Sequence, residues 1–321
     1  MNRPLDPHVA TLLGALDQTV PAPENATPEM LRAGFGNLMA LLHPDAPAGF
    51  PGTIRDDVVE TGSGPVTIRV YDPAGSTGDD VVVFFHGGGW VLGGLDSAEP
   101  AVSALATAMA VRIVSVDYRL APEHPYPAAY DDCLAVTRSI AASNPGWLGV
   151  AGDSAGGNLA SAVALAAPAN GFTVDAQLLL YPALDPTMGT DSYTEFADGY
   201  LLTREAMEFY WASYRGDPAV ARDSLTPYRA ESLERMPPTV ITTAGYDPLR
   251  DEGARFAARL VESGVPTTFL PAPSLIHGWA DQIDLVPAAA EALRHAAAAF
   301  DQTRHRHGSA LHTNEGFHAD A

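Results

Sequence analysis

The sequence predicts an α/β protein whose central, mostly parallel sheet is covered by helices on both faces. Short apolar runs typical of buried strands alternate with helical segments, and this alternation is characteristic of a parallel sheet. The chain has 321 residues, of which 46% are hydrophobic, enough for one large core. A serine, Ser154, also stands where a strand passes directly into a helix.

The predicted elements of the core follow one another closely, except between residues 181 and 239. The strands are expected at 53–60, 66–71, 81–85, 111–116, 147–151, 176–181, 239–243 and 267–270. The helices are expected at 98–110, 128–142, 158–167, 251–263 and 287–302.

One insertion and two terminal segments complete the predicted domain organisation. Residues 1–50 are predicted to form the N-terminal part of a helical cap, and the core occupies 51–184. Residues 185–235, which are rich in aromatics, are predicted to form the second part of the cap, although helices that only pack on the core would show the same pattern. The core resumes over 236–303. Residues 304–321 are polar, contain four histidines and are predicted to be disordered.

The charge balance restricts the chemistry and the partners. The net charge is −21, from 39 acidic and 18 basic residues, and none of the basic residues is a lysine. Schiff-base catalysis, pyridoxal phosphate attachment and a P-loop lysine are therefore excluded. The negative charge argues against nucleic acid and anionic membranes as partners. We expect a small-molecule substrate instead.

The sequence also predicts a cytoplasmic location. No run of about eighteen apolar residues suggests a membrane span, and residues 1–7 lack the apolar core of a signal peptide. The single cysteine, Cys133, fits a reducing compartment and excludes an internal disulfide. A homodimer is compatible with the sequence, which does not determine the oligomeric state.

Ser154 lies in the pattern Gly152-Asp153-Ser154-Ala155-Gly156, a G-x-S-x-G turn between a strand and a helix. The turn strains the serine backbone, and the flanking glycines avoid side chains that would collide. The pattern predicts a nucleophilic serine. Chymotrypsin-like proteases share Gly-Asp-Ser-x-Gly, but they are disulfide-bearing all-β proteins with a different order of catalytic residues. A structural turn with an incidental serine is the remaining alternative.

A second glycine-rich pattern, His86-Gly87-Gly88-Gly89-Trp90, follows the apolar strand at 81–85. Consecutive glycines leave backbone N–H groups free to bind an anion. HGGG supplies part of the oxyanion hole in lipases and esterases. Neither the dinucleotide-binding pattern G-x-G-x-x-G nor a P-loop is present in residues 87–94.

Together these patterns resemble the bacterial hormone-sensitive-lipase-like esterases of the α/β-hydrolase fold. The resemblance covers about residues 53–300, and the N-terminal helices and residues 199–203 also resemble the cap of that family. It implies a serine carboxylesterase that acts on short- to medium-chain esters through an acyl-enzyme, without a metal or an organic cofactor. The segments that carry the resemblance are HGGGW at 86–90, DYRLAPEH at 117–124, GDSAGG at 152–157, YDPLRD at 246–251 and IHG at 276–278.

The chain has the family's order of catalytic residues, which is serine, acid, histidine. Ser154 would be the nucleophile, His277 the general base and then the general acid, and Asp247 the residue that orients the imidazole. Asp251 and Glu252 lie within one helical turn of Asp247 and are alternatives for the acid. We favour Asp247 because it lies in the loop after a strand.

The resemblance also implies the rest of the site. The oxyanion would be bound by backbone N–H groups, those of Gly88, Gly89 and Ala155. The substrate pocket would be formed by side chains of the oxyanion loop and the cap, namely Trp90, Leu202, Phe209 and Trp211.

Two further functions stay open at this point. An amidase or a lactonase would use the same triad. A non-catalytic receptor is the alternative from another class, since plant gibberellin receptors resemble this family. Those receptors lack the catalytic histidine, which is present here as His277.

Overall fold

The computed structural model describes residues 4–16, 26–43, 49–76 and 78–314. The strands are β1 (Gly52–Thr61), β2 (Gly64–Pro73), β3 (Val81–Phe85), β4 (Arg112–Val116), β5 (Leu148–Asp153), β6 (Ala176–Leu180), β7 (Thr239–Tyr246) and β8 (Thr267–Ile276). The helices are α1 (Pro7–Leu16), α2 (Pro28–Leu42), α3 (Leu95–Met109), α4 (Ala128–Ala141), α5 (Ala155–Ala166), α6 (Ser192–Glu195), α7 (Arg204–Arg215), α8 (Arg250–Glu262) and α9 (Pro287–Asn314).

The eight strands form one sheet in the order β1-β2-β4-β3-β5-β6-β7-β8. Strands β3 to β8 run parallel to one another, whereas β2 is antiparallel to both β1 and β4. The predicted α/β class with a mostly parallel sheet is therefore confirmed. The antiparallel hairpin of β1 and β2 forms one edge of the sheet.

Helices cover both faces of this sheet, and β3 shows why its sequence is a continuous apolar run. Val83 and Phe85 face the core formed with α4, α5 and α8. Val82 and Phe84 face the opposite core, formed with α3 and α9. All five residues of β3 are buried. A strand that is covered on both faces has no position at which a polar side chain can reach water.

Strands β7 and β8 extend past their predicted ends at 243 and 270. The additional residues of β8 include Pro271 and Pro273. The strand tolerates both prolines because it lies at the edge of the sheet, where a missing N–H breaks no ladder on the open side.

The last helix is also longer than predicted. It continues to Asn314, whereas the sequence predicted a helix end at residue 302 and a disordered tail from residue 304. Arg304 joins the helix to the segment before β3 through an ion pair with Asp80 at 3.0 Å, and a second ion pair, with Asp301 at 2.6 Å, lies within the helix. The remainder of the predicted tail, 315–321, lies outside the described residues.

Two segments outside the sheet reach the carboxyl ends of its strands. The first is α2, which begins with Thr27 as its N-cap and Pro28 in its first turn. The second is the insertion between β6 and β7, which carries α6 and α7. Thr203 caps α7 by accepting a hydrogen bond from the Ala206 N–H at 3.0 Å. Residues 17–25, between α1 and α2, lie outside the described residues.

Candidate active site

Ser154 occupies the turn between β5 and α5 in a conformation that side chains rarely adopt. Its φ and ψ are 52° and −116°. A Cβ at Gly152 would collide with the backbone of Gly156, and a Cβ at Gly156 would collide with the Phe85 carbonyl. Glycine is therefore required at both positions, as the sequence pattern predicted, and the tight turn presents the serine hydroxyl at the end of the strand.

The serine is the first member of a hydrogen-bonded chain of three side chains. Ser154 Oγ lies 2.9 Å from His277 Nε2. His277 Nδ1 lies 2.8 Å from Asp247 Oδ2. Asp247 is fully buried, while the other two residues keep 7% and 8% of their surface exposed. The distances place a potential nucleophile, a base and an orienting acid within direct hydrogen-bonding reach of one another.

The two alternative acids point elsewhere. Asp251 accepts a hydrogen bond from the Ser192 N–H at 3.0 Å and is paired with Arg250 at 2.7 Å. Glu252 accepts a hydrogen bond from the Leu184 N–H at 2.6 Å. Burial raises the pKa of Glu252 well above its usual range. The geometry therefore favours Asp247 as the partner of His277.

Three backbone N–H groups next to the serine have no acceptor in the part of the chain that the structure describes. Among the hydrogen bonds of the described residues, none uses the N–H of Gly88, Gly89 or Ala155. Ala155 is the first residue of α5, where the helix dipole adds positive potential. The same three positions were predicted to bind an oxyanion, and an anion is the ligand that such groups can accept.

The loop that carries two of these N–H groups is held by its neighbours. His86 Nδ1 donates to the Gly87 carbonyl at 2.7 Å, and the Tyr118 hydroxyl donates to the His86 carbonyl at 2.6 Å. Burial lowers the pKa of His86 to about 4, so its ring is neutral at neutral pH. The Gly87 N–H donates to Asp153 Oδ1 at 2.7 Å. His86 thus fixes the loop, and the described contacts give it no part in the Ser154 chain.

A cavity of about 790 Å³ opens onto Ser154 and His277. Its walls are largely apolar and come from the oxyanion loop, from α2 and from the start of α7. The residues contributed by α2 and α7 include Leu31, Phe35, Leu38, Met39, Leu42, Ala206, Met207 and Tyr210. A cavity of this size and polarity is typical of a site for a small organic molecule.

Of the four side chains predicted to form the pocket, only Leu202 lines this cavity. Trp90 and Trp211 are buried elsewhere. The Trp90 ring is stacked on Tyr214 with 4.4 Å between ring centroids and also contacts Trp211 at 4.4 Å. This packing keeps both tryptophans out of the cavity wall, where they were predicted to lie.

Phe209 is the third predicted residue that does not line the cavity, and the neighbouring Tyr210 takes that position. Successive residues of a helix point about 100° apart, so only one of the two can face the cavity. Tyr210 shares its helix face with Ala206, one turn earlier, which also lines the cavity. Sequence reasoning missed Tyr210, although the spacing of four from Ala206 was visible.

Within the described ranges, no three histidine, cysteine, aspartate or glutamate residues come together in a way that could hold a metal ion. None of the helices described is both long and apolar enough to cross a membrane.

The sheet order and the turn that carries Ser154 define this protein as an α/β-hydrolase, and comparison with known proteins agrees. A family profile described as alpha/beta hydrolase fold matches residues 82–281. The chain belongs to this family of hydrolases, in its bacterial hormone-sensitive-lipase-like group.

Relatives of known name cover most of the chain. The carboxylesterase NlhH of Mycobacterium tuberculosis is 40% identical over 253 residues, which are 75% of this chain and 79% of the relative. An arylesterase of Saccharolobus solfataricus is 33% identical over 258 residues, or 78% of this chain and 83% of the relative. The structure of a hyperthermophilic esterase from Pyrobaculum calidifontis matches with a TM-score of 0.86 and 32% identity, covering 94% of this chain and 99% of the other.

Proposed function

We propose that this protein is a serine carboxylesterase in which Ser154, His277 and Asp247 are the catalytic triad. The observation that carries the proposal is the hydrogen-bonded chain from Ser154 Oγ through His277 to Asp247, beside three N–H groups that lack an acceptor. The names of the relatives support ester hydrolysis over the amidase and lactonase alternatives. His277 in hydrogen-bonding contact with Ser154 argues against a non-catalytic receptor.

The first half of the reaction forms an acyl-enzyme. Ser154 Oγ attacks the ester carbonyl carbon while His277 Nε2 takes the hydroxyl proton. The carbonyl oxygen becomes an oxyanion, which the N–H groups of Gly88, Gly89 and Ala155 stabilise. The C–O bond to the alcohol then breaks, and the imidazolium returns its proton to the leaving oxygen. Asp247 keeps the imidazole in the required tautomer and stabilises its charged form.

The second half hydrolyses the acyl-enzyme. A water molecule gives a proton to His277 Nε2 and attacks the acyl carbon, so that a second oxyanion forms in the same place. The bond between the acyl carbon and Ser154 Oγ breaks, the serine regains its proton from His277, and the carboxylic acid is released. No further reactant is needed to balance either half.

The substrates that we propose are esters with short to medium acyl chains. The cavity of about 790 Å³ has an apolar wall from α2 and α7, which is suited to an alkyl chain. In this proposal α2 and the inserted segment act as the two parts of a cap over Ser154. The sequence boundaries 1–50 and 185–235 for these parts stay predictions.

The experiment that tests the proposal is hydrolysis of p-nitrophenyl esters from acetate to decanoate by the wild type and by Ser154→Ala. We expect kcat of the variant to fall by about 10⁶-fold, the scale seen when a serine nucleophile is removed. Ser161→Ala is a matched control, because Ser161 lies on the same helix and is fully buried, but does not line the cavity. Near-normal turnover by Ser154→Ala would refute the assignment of the nucleophile.

We also infer a cytoplasmic location, which is supported by the single cysteine, Cys133, buried and unpaired within the core. The net charge of −21 supports a protein without nucleic-acid partners. A homodimer stays a prediction that light scattering of the purified protein can test.

A further inference from the structure

The glycines of the oxyanion loop are confined by groups from two different parts of the chain. A Cβ on Gly87 would collide with Asp153, and a Cβ on Gly88 would collide with Leu92. Both of these residues belong to the core. A Cβ on Gly89 would instead collide with the ring of Tyr210 at its Cγ atom. Tyr210 belongs to α7, in the insertion between β6 and β7. The third glycine is therefore in contact with the proposed cap.

This contact determines how far Gly89 can move. Gly89 has a φ of 61° and no side chain that could anchor it. Its N–H has no acceptor among the described residues, so no hydrogen bond fixes its direction. The ring of Tyr210 is half-buried, and burial raises the pKa of its hydroxyl to about 12, so the ring is uncharged at neutral pH. The contact is thus a packing contact, and such contacts weaken steeply when a gap opens.

We propose that Tyr210 is a positioning residue for the oxyanion hole. Its ring holds Gly89 so that the Gly89 N–H points to the place where the oxyanion forms. The inserted helix α7 would then control the rate of the chemical steps as well as the size of the pocket. This inference rests on the proposed esterase function.

The two possible roles of Tyr210 differ in their effect on the acyl-enzyme. Formation and hydrolysis of the acyl-enzyme pass through oxyanions at the same place, so a loosened Gly89 slows both steps. A residue that is only a wall of the cavity affects long acyl chains and leaves the short acetyl group untouched. Hydrolysis of the acetyl-enzyme is the cleanest measure, because the p-nitrophenol has already left and only the acetyl group occupies the site.

The test is pre-steady-state kinetics with p-nitrophenyl acetate, in which the burst reports acylation and the following phase reports deacylation. Removal of a whole oxyanion-hole donor costs about 10²–10³ in kcat. Tyr210→Ala only loosens one such donor, the Gly89 N–H. We therefore expect it to slow acetyl-enzyme hydrolysis by about 10-fold to 100-fold and to slow acylation by a similar factor. Tyr210→Phe keeps the ring and should stay close to wild type, with Tyr210→Leu between the two.

Tyr130→Ala is the matched control, because Tyr130 is also a half-buried tyrosine but lies on α4 and does not line the cavity. Circular dichroism and thermal unfolding show whether each variant is folded. If Tyr210→Ala is unfolded, Tyr210→Leu takes its place in the test. The inference would be overturned if both Tyr210→Ala and Tyr210→Leu hydrolysed the acetyl-enzyme at the wild-type rate. It would also be overturned if Tyr210→Phe slowed this hydrolysis as much as Tyr210→Ala does. Failure of the esterase proposal is seen separately, as turnover retained by Ser154→Ala.

Discussion

Asp247 binds His277 with one carboxylate oxygen and the Leu249 N–H with the other, at 2.8 Å in each case. Both oxygens are therefore in use, and the carboxylate has no freedom to rotate. Since Asp247 is fully buried, no water competes for these bonds. The imidazole is held with Nε2 toward Ser154, which is the orientation that proton transfer requires.

Replacement of this acid by its amide should be far more harmful than the same change one turn later. Asp247→Asn is expected to lower kcat by about 10³-fold to 10⁴-fold, the cost of a wrongly held tautomer in serine proteases. Asp251→Asn is the control, because Asp251 contacts Ser192 and Arg250 instead of His277. The measurement is kcat of both variants under steady-state conditions. A greater loss in Asp251→Asn would transfer the role of the acid to that residue.

Asp153 should make the stability of the protein depend on pH. Burial raises its pKa from 3.8 to about 6, against the opposing effect of the hydrogen bond from the Gly87 N–H. In the folded protein Asp153 therefore binds a proton more tightly than in the unfolded chain, and its contribution to stability falls as the pH rises from about 4 to about 6 and then stays level. Asp153→Asn keeps an acceptor for Gly87 and cannot ionise, so this loss should disappear.

The measurement is urea unfolding of the wild type and of Asp153→Asn at several pH values. The free energy of unfolding of the variant minus that of the wild type should increase by an amount on the order of 2 kcal/mol between about pH 4 and about pH 6. Asp57→Asn, at an exposed position on β1, should show no such trend. A difference between Asp153→Asn and the wild type that shrinks with rising pH would contradict the prediction.

The sequence predicted the sheet and Ser154 because each depends on local pattern, whereas Asp247 and His277 were predicted from the resemblance to a family. A buried strand such as β3 must be apolar throughout, and the turn at Ser154 requires its two glycines. The pocket wall was harder to predict, since Phe209, Tyr210 and Trp211 are consecutive aromatics. The face that α7 turns toward the cavity depends on tertiary packing, which sequence periodicity does not determine.

The attachment of α2 to the core gives a prediction about salt. Arg32 donates to both carboxylate oxygens of Glu123, at 2.9 and 2.7 Å, and to the Val91 carbonyl at 2.9 Å. The hydrogen bond from Arg32 lowers the pKa of Glu123 to about 2, so mild acid leaves the pair charged. Both side chains are partly exposed, and the pair should therefore be weakened by salt.

We expect Arg32→Gln to raise KM for p-nitrophenyl butyrate several-fold with a smaller change in kcat, because α2 forms the cavity wall but contributes no residue of the Ser154 chain. Raising NaCl from about 0.1 M to about 1 M should increase the wild-type KM in the same direction and change the variant less. Arg55→Gln is the control, since Arg55 pairs with Asp72 at the sheet edge formed by β1 and β2. If KM depended on NaCl equally in Arg32→Gln and in the wild type, the ion pair would not be what attaches α2 to the core.

Helix α2 contains two methionines that separate the effect of the cavity wall from the effect of the helix itself. Met39 lines the cavity and is 9% exposed, whereas Met30 is 52% exposed and does not line it. Met39→Ala enlarges the cavity next to the acyl chain. Since each buried methylene contributes about 0.8 kcal/mol, the variant should prefer acyl chains that are longer by one to a few carbons.

The measurement is kcat/KM for the p-nitrophenyl esters from acetate to decanoate. For Met39→Ala, we expect kcat/KM for the octanoate ester, divided by kcat/KM for the butyrate ester, to rise by about 4-fold for each additional methylene that gains apolar contact. The value of kcat/KM for the acetate ester should change little. Met30→Ala should keep the wild-type profile, because its side chain contacts solvent rather than the cavity. If Met39→Ala and Met30→Ala reduce all esters by the same factor, α2 only supports the fold, and the cap proposal for this helix is refuted.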